Sequence, residues 1–377
     1  MRSVSVKYPV KAVLPKGSQQ KILDYLAKDN IVCEFFEGRM DAAKADGLRR
    51  KLARRWNDVR TNFSLARHLS KTDLKNSIVQ IDVAPWSGFF LLLYLALKTD
   101  VFITFHTCLP EFSPFRKLLL KIKFAVLTTF KRFQMAASNL DVKNSLRPFV
   151  SESRFREMKV VYSSVNIEEI NRALRENKSR AEIAERYNLP ADKIWICNVA
   201  QFIERKGCWV FLEAIKILRE QRDDLYFIWL GTGTLDVEAI EKIRRCQVGD
   251  DFRFFSAAEI GETRDDLLAL WNASDIFALP SFQEGLPMSL VEAMALGKPC
   301  IASDINAIPE AVEHLSTGLL VDAGDAAQLA CAVNNLADNK QLRKTLGENA
   351  RKLVFEKFQE KVTGRQMLEF YESINSR

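Results

Sequence analysis

Apolar runs of strand length alternate along this chain with longer segments whose apolar residues recur every three or four positions. In the first half, 78–83, 101–105, 135–138 and 159–162 predict strands, and 88–97 and 114–130 predict helices between them. In the second half, 194–199, 226–230, 276–279 and 299–302 predict strands, and 209–220, 237–246, 287–296 and 326–338 predict helices. Strands that alternate with helices build β-α-β units, and hence parallel sheets covered on both faces. Two such series predict an α/β chain of two Rossmann-like, doubly wound domains facing across a cleft, with ligands at the carboxyl ends of the strands. Residues 1–165 would form the first domain and 191–355 the second. Between them, 166–190 is polar and reads as a helical connector.

Composition narrows the class. With 47% hydrophobic and 27% charged residues the chain is globular, which excludes disorder, collagen-like repeats and a coiled-coil rod. The longest apolar run, 89–97, is nine residues, against the roughly 20 that a membrane span needs. The first residues carry no apolar core of a secretory signal, so a cytoplasmic protein is expected. Cys33, Cys108, Cys197, Cys208, Cys246, Cys300 and Cys331 are scattered and form no Cys-x-x-Cys pair. They read as reduced core thiols, and neither they nor the three histidines show metal-ligand spacing, so no metal is expected. The net charge of +7 is uneven: residues 1–180 balance at +16 and 181–377 at −9. A basic half suggests an anionic partner.

The most informative stretch is Ser281-Phe282-Gln283-Glu284-Gly285-Leu286-Pro287-Met288, directly after a predicted strand. Gly285 permits a tight turn, and Pro287 suits a first helical turn, where its missing N–H goes unneeded. The free amides of such a helix start attract phosphate. Glu292 is the one ionisable residue between 285 and 297. A carboxylate on so apolar a helix needs hydrogen bonds, from ligand hydroxyls or from a buried cation.

The spacing Glu284-x7-Glu292 inside Pro280-Ser281-x2-Glu284-Gly285-Leu286-Pro287, with Ile308-Pro309-Glu310 and Thr317-Gly318-Leu319-Leu320-Val321 after it, resembles the retaining glycosyltransferases of family 4. The resemblance is strong from about 194 to 340 and weak before 78. It implies the GT-B fold, with an acceptor-side first domain, a nucleotide-sugar-binding second domain and a last helix, 356–377, returning to the first. It also implies that Glu292 binds ribose hydroxyls, that Glu284 contacts the transferred sugar, and that the segment Gly285, Leu286, Pro287 and Met288 holds the diphosphate through its free backbone amides. In the segment from Asn198 to Gly207 the family places an Arg and a Lys five apart to neutralise that diphosphate. Lys206 matches the Lys, whereas Gln201 stands at the Arg position, with Arg205 able to supply the charge. A solvated turn is the plainer reading of Arg205 and Lys206.

Leu230-Gly231-Thr232-Gly233 resembles the family's Gly-x-Gly turn, and Pro15-Lys16-Gly17-Ser18 a degenerate N-terminal glycine loop. His106, closing a predicted strand, matches a family histidine near the donor sugar and acceptor. Ser163-Ser164-Val165-Asn166 and Asn306-Ala307 depart from the family's usual residues. The implied activity is transfer of a sugar, with retention, from a nucleotide sugar (a UDP-sugar) to a glycan or lipid-linked acceptor in cell-surface polysaccharide or glycolipid synthesis. No second carboxylate pair points to a covalent intermediate, and the resemblance implies front-side attack within an ion-pair-like transition state instead. A non-catalytic GT-B protein binding a sugar nucleotide or a partner enzyme, and a nucleotide-sugar epimerase, are the competing readings.

The basic half has two segments that read as basic amphipathic helices. One carries Arg49, Arg50, Lys51, Arg54 and Arg55 around Leu52 and Trp56; the other carries Lys117, Lys121 and Lys123 among Phe115, Leu118, Leu119, Ile122 and Phe124. Both suit an anionic membrane surface, with peripheral attachment at the inner face, or a helix face packed on its own sheet. No zinc, helix-turn-helix or RNP-like pattern points to nucleic acid.

Overall fold

The computed structural model describes residues 2–38, 48–81, 85–176, 178–231, 237–261 and 263–375. The chain divides into two compact units, Met1–Tyr162 with Thr363–Arg377, and Ser163–Val362. Both are built on parallel sheets, so each is Rossmann-like.

Among the described residues of the first unit, β1 (Lys11–Pro15) and β2 (Val32–Phe36) pair only with each other. A second sheet runs in chain order through β3 (Ile78–Ile81), β4 (Asp100–Phe105), β5 (Phe133–Ala137) and β6 (Lys159–Val160). Every residue of β5, and all of β4 after Asp100, is buried, as continuous apolar runs in a covered sheet require. One face packs on Leu91, Leu92 and Leu95 of the helix Pro85–Lys98 and on Leu120, Phe124 and Leu127 of the helix Pro114–Thr129. Phe102 and Ala136 are covered by Phe370 and Tyr371 of the helix Glu360–Asn375, with Phe102 edge-on to both rings at 4.8 and 5.3 Å. Each such buried aromatic contributes about 1.5–3 kcal/mol of transfer free energy.

The second unit holds six parallel strands: β7 (Ile194–Val199), β8 (Leu225–Gly231), β9 (Phe252–Ser256), β10 (Ile276–Leu279), β11 (Cys300–Ser303) and β12 (Leu319–Val321). Their spatial order is β12-β11-β10-β7-β8-β9. The chain builds outward from β7 in one direction, then returns to build outward from β10 in the other. Between β7 and β10 the order reverses, and open α/β sheets bind their ligands at such a switch point, at the carboxyl ends of the strands. Trp195, Trp229 and Trp271 are fully buried in this unit.

Several expectations change in detail. The segment 166–190 is helical, as expected, and its helices Ile167–Glu176 and Arg180–Tyr187 belong to the second unit. They are fastened there by Arg172–Asp265 (2.8 Å), Arg186–Asp266 (2.7 Å) and a hydrogen bond from the Tyr187 hydroxyl to the Ile260 carbonyl (2.6 Å). The strand predicted over 78–83 ends at Ile81, and 82–84 lie outside the described residues. The strand predicted over 159–162 pairs only at Lys159 and Val160. Pro287 sits at the cap, in extended conformation, and its helix begins at Met288. Of the seven free cysteines only Cys197, Cys208 and Cys300 are buried, while Cys331 is exposed.

Candidate functional site

Two loops meet at the switch point of the second unit, one leaving β7 and the other leaving β10. Asn198 in β7 donates its amide to the Ala278 carbonyl in β10 at 2.6 Å, which ties the two strands together where the order reverses. After β7 the chain makes a short turn, Glu204–Lys206, and passes through Gly207 at φ +72°. A Cβ on Gly207 would lie 1.7 Å from the Pro280 carbonyl oxygen, so only glycine lets this turn press against the exit of β10. The Phe282 N–H donates to the Arg205 carbonyl at 2.9 Å and joins the loops a second time.

This docking brings Lys206 onto Glu284. The ammonium contacts both carboxylate oxygens, at 2.6 and 2.8 Å. Glu284 is buried, and it also accepts from the Ser281 hydroxyl at 2.8 Å while its own N–H donates to the Asn306 side chain at 3.3 Å. Asn306 adopts the left-handed conformation, φ +48°, which asparagine tolerates better than most residues. Arg205 donates to the Gln283 carbonyl at 3.0 Å and stands 3.9 Å from Glu284. Two cations and one carboxylate thus share one corner, with a net positive charge. Next to it, Gly285, Leu286 and Pro287 lead into the helix Met288–Ala295, whose N-terminus adds the positive end of its dipole. The arrangement is chemically suited to hold a polyanion and to expose a carboxylate once the cation it binds is taken by that anion.

Glu292 lies on the same helix but does not join this corner. Its carboxylate pairs with Arg264, which also donates to Glu169 at 3.2 Å. Burial raises the Glu292 pKa above the ordinary glutamate value, Arg264 opposes that shift, and Glu169 adds to it. Arg264 opens the helix Arg264–Ala273, whose start is capped reciprocally by Thr263 and Asp266. Sequence reasoning missed Arg264. A lone carboxylate in an apolar helix signals that it needs a partner, but nothing local says that the partner stands 28 residues earlier.

The other predicted site residues fall elsewhere. Gln201 is exposed, and its carbonyl accepts from the Ile203 N–H at 2.9 Å. Gly231 ends β8, where a Cβ would meet the Phe254 ring at 2.6 Å, and 232–236 lie outside the described residues. Gly17 (φ +86°) and His106 belong to the first unit, Gly17 in the turn after β1 and His106 exposed directly after β4. Lys117 and Lys121 are exposed, whereas Lys123 is half-buried, its ammonium 5.7 Å from the Phe89 ring centroid. Burial lowers the Lys123 pKa. Arg49, Arg50, Lys51, Arg54 and Arg55 fall on the helix Leu48–Leu69, and their side chains lie outside the described residues.

Residues 179–353, which contain both carboxylates and both cations, match the family described as glycosyl transferases group 1. The amylovoran biosynthesis glycosyltransferase AmsK of Erwinia amylovora is 30% identical over 185 residues, 48% of this chain and 44% of that protein. A GDP-mannose-dependent alpha-(1-6)-phosphatidylinositol monomannoside mannosyltransferase of Mycobacterium tuberculosis is 30% identical over 184 residues, 47% of this chain and 46% of that protein. The match therefore spans about half the length of these relatives. The structure of Anabaena Alr3699/HepE in complex with UDP and glucose superposes with a TM-score of 0.72 at 17% identity, covering 99% of this chain and 94% of that one. The chain has the GT-B fold.

Proposed function

We propose that this protein is a retaining glycosyltransferase that moves a sugar from a UDP-sugar to a saccharide or lipid-linked acceptor, at the cytoplasmic face of a membrane, in cell-surface polysaccharide or glycolipid assembly. The observation that carries the proposal is the meeting of Lys206, Arg205 and Glu284 at the switch point of the six-stranded sheet. The family match over these residues and the names of the relatives support it.

In this reading the donor's diphosphate enters beside Lys206 and Arg205. Phosphate oxygens replace Glu284 as the partner of the Lys206 ammonium, and the released carboxylate turns to the hydroxyls of the sugar. As the glycosidic bond to the diphosphate breaks, negative charge grows on the departing oxygen, next to two fixed cations and the amides before Met288. Charge stabilisation of this kind, preorganised where charge develops, is the largest lever available to such a site. Arg205 takes the part that the family gives to an arginine at the position of Gln201. Diphosphate neutralisation is thereby assigned to side chains rather than to a metal ion. With no carboxylate assigned as nucleophile, the acceptor attacks from the face that the leaving group vacates. Glu292 receives the ribose hydroxyls, which must share it with Arg264. His106 is assigned to the acceptor side.

Thermal shift against UDP, GDP and their sugars tests the donor. A ligand at 100 times its dissociation constant raises stability by about 2.7 kcal/mol. Stabilisation by UDP-sugars, followed by UDP release with acceptor and an α-configured product from an α-donor, would bear the reading out. GDP-sugars in place of UDP-sugars would correct the base. Tight binding with neither transfer nor hydrolysis would favour a non-catalytic sugar-nucleotide protein.

A further inference from the structure

The helix Pro114–Thr129 in the first unit has two apolar stripes where one would suffice. Leu120, Phe124 and Leu127 are buried against its own sheet. Phe115, Leu118, Leu119, Ile122 and Val126 follow the spacing i, i+3, i+4, i+7, i+11, a second stripe about 100° wide and nearly opposite the first. These five are 76, 57, 43, 53 and 37% exposed. A helix packed on one side only normally turns a polar face to water.

Charge brackets the outer stripe. Lys117 and Lys121 lie along one flank, Arg116 and Lys123 along the other, and the helix contains no acidic residue. Phe90, on the adjacent helix Pro85–Lys98, is 82% exposed and stacks edge-on to Phe89, the ring that faces Lys123. A shallow recess of about 250 Å³ beside Lys117 and Lys121 is walled by Leu109, Pro110, Pro148 and Phe149, with Glu111 at its edge.

We propose that this face docks on an anionic lipid bilayer, the helix lying in the plane of the interface. Phe115, Leu118, Leu119 and Ile122 enter the boundary between headgroups and acyl chains, and the flanking cations meet the headgroup phosphates. The charge selects the occupant. A second copy of the chain would bring the same four cations face to face, and a nucleic acid would leave the apolar stripe without a partner. Among the described residues no helix is long and apolar enough to cross a membrane, so attachment through this face is peripheral. The proposal deepens the membrane location in the function proposed above, and its test is separable from sugar transfer because the docking needs neither donor nor acceptor.

The test is co-sedimentation of the full chain with phosphatidylcholine vesicles, with and without phosphatidylglycerol, in the absence of nucleotide. We expect binding to the anionic vesicles alone, weakened but not abolished by salt. Each lysine at such a surface contributes about fivefold in affinity, so Lys117→Glu with Lys121→Glu should reduce binding at least tenfold. Leu118→Ser with Ile122→Ser should reduce it as much, with circular dichroism unchanged because both side chains are exposed. Ile122→Trp should shift its emission to the blue when anionic vesicles are added. Failure to bind anionic vesicles at low salt would overturn the proposal. So would full binding by Leu118→Ser with Ile122→Ser, or its loss only when Trp56 and Phe63 of the helix Leu48–Leu69 are replaced. A concentration-dependent dimer dissolved by the same substitutions, with no vesicle binding, would assign the face to a second copy instead.

Discussion

Two helices that each follow a parallel strand use their apolar residues in opposite ways. Met288–Ala295 buries Leu290, Val291, Ala293, Met294 and Ala295, and packs between the helices Ile167–Glu176 and Lys340–Lys357. Pro114–Thr129, twice as long, buries three residues and leaves five large ones in the open. Both helices are rich in apolar residues, and charge placement is what sets their fates apart. The first carries a single carboxylate, whose charge the protein then meets with Arg264. The second carries four cations spread around its sides, and no covering layer could take up that helix without stranding them. An apolar helix is a core element only when its charges can be answered from within the protein.

Substitutions can break or sharpen this contrast, and the largest effect belongs to the turn that docks beside the buried helix. Gly207→Ala should cost about 4 kcal/mol or more in urea unfolding, since a Cβ there meets a carbonyl oxygen at 1.7 Å. Gly17→Ala, with the same sign of φ but nothing within 4 Å of the new atom, should cost only about 1–2 kcal/mol. Next, Met294→Ala in the buried helix should cost about 3 kcal/mol, against less than about 0.5 kcal/mol for Leu118→Ala on the exposed stripe. Equal costs would show that the stripe of the Pro114–Thr129 helix is covered in the folded protein.

At the loops, Lys206→Ala should lower turnover about a hundredfold or more while leaving nucleoside affinity nearly intact. Equal losses in steady-state kinetics and in nucleoside binding would make Lys206 a plain binding residue. Glu292 gives a smaller, pH-dependent effect. If Glu292 receives ribose hydroxyls as proposed, the ionised carboxylate is the stronger acceptor, and burial raises its pKa. Nucleotide affinity should therefore be constant above that raised value and fall, by at most about tenfold per pH unit, below it, with the onset at higher pH than for an unshifted glutamate. Arg264→Gln removes the charge that opposes the shift, so titration calorimetry should find the fall at a higher pH. The folded chain also holds this proton more firmly than the unfolded one. The group's contribution to stability is fully present below the ordinary glutamate value and is lost as pH rises through the raised one. The smallest effect should come from Gln201→Arg, an exposed position, with turnover within a few-fold of the parent.

What could be read in advance follows from how each element is buried. The strands at 194–199 and 276–279 coincide with β7 and β10, because a strand covered on both faces is written as one unbroken apolar run. The strand before Gly17 is poorly written and β2 went unpredicted: among the described residues β1 and β2 pair only with each other, so Lys11, Pro15 and Glu34 are tolerated within them. β9 is an edge strand of mixed burial and was equally hidden. The site residues Glu284, Lys206 and Arg205 were legible as chemical types after strands. Their meeting was not, since Lys206 and Glu284 are 78 residues apart and only the reversal of strand order makes them neighbours. At Gly231, which resembles part of a phosphate turn, an added Cβ would also meet the Phe254 ring, a packing demand that the sequence does not show.

The helix Glu360–Asn375 carries a consequence for how the protein is made. Its residues from Thr363 onward belong to the unit that begins at Met1, and Phe370 and Tyr371 close the face of β4 and β5 that Phe102 and Ala136 would otherwise expose. On a ribosome, the half of the protein synthesised first is therefore the half completed last. While the whole second unit emerges and folds, the earlier sheet waits with one apolar face uncovered. That interval is when it is most prone to aggregate and most in need of a chaperone.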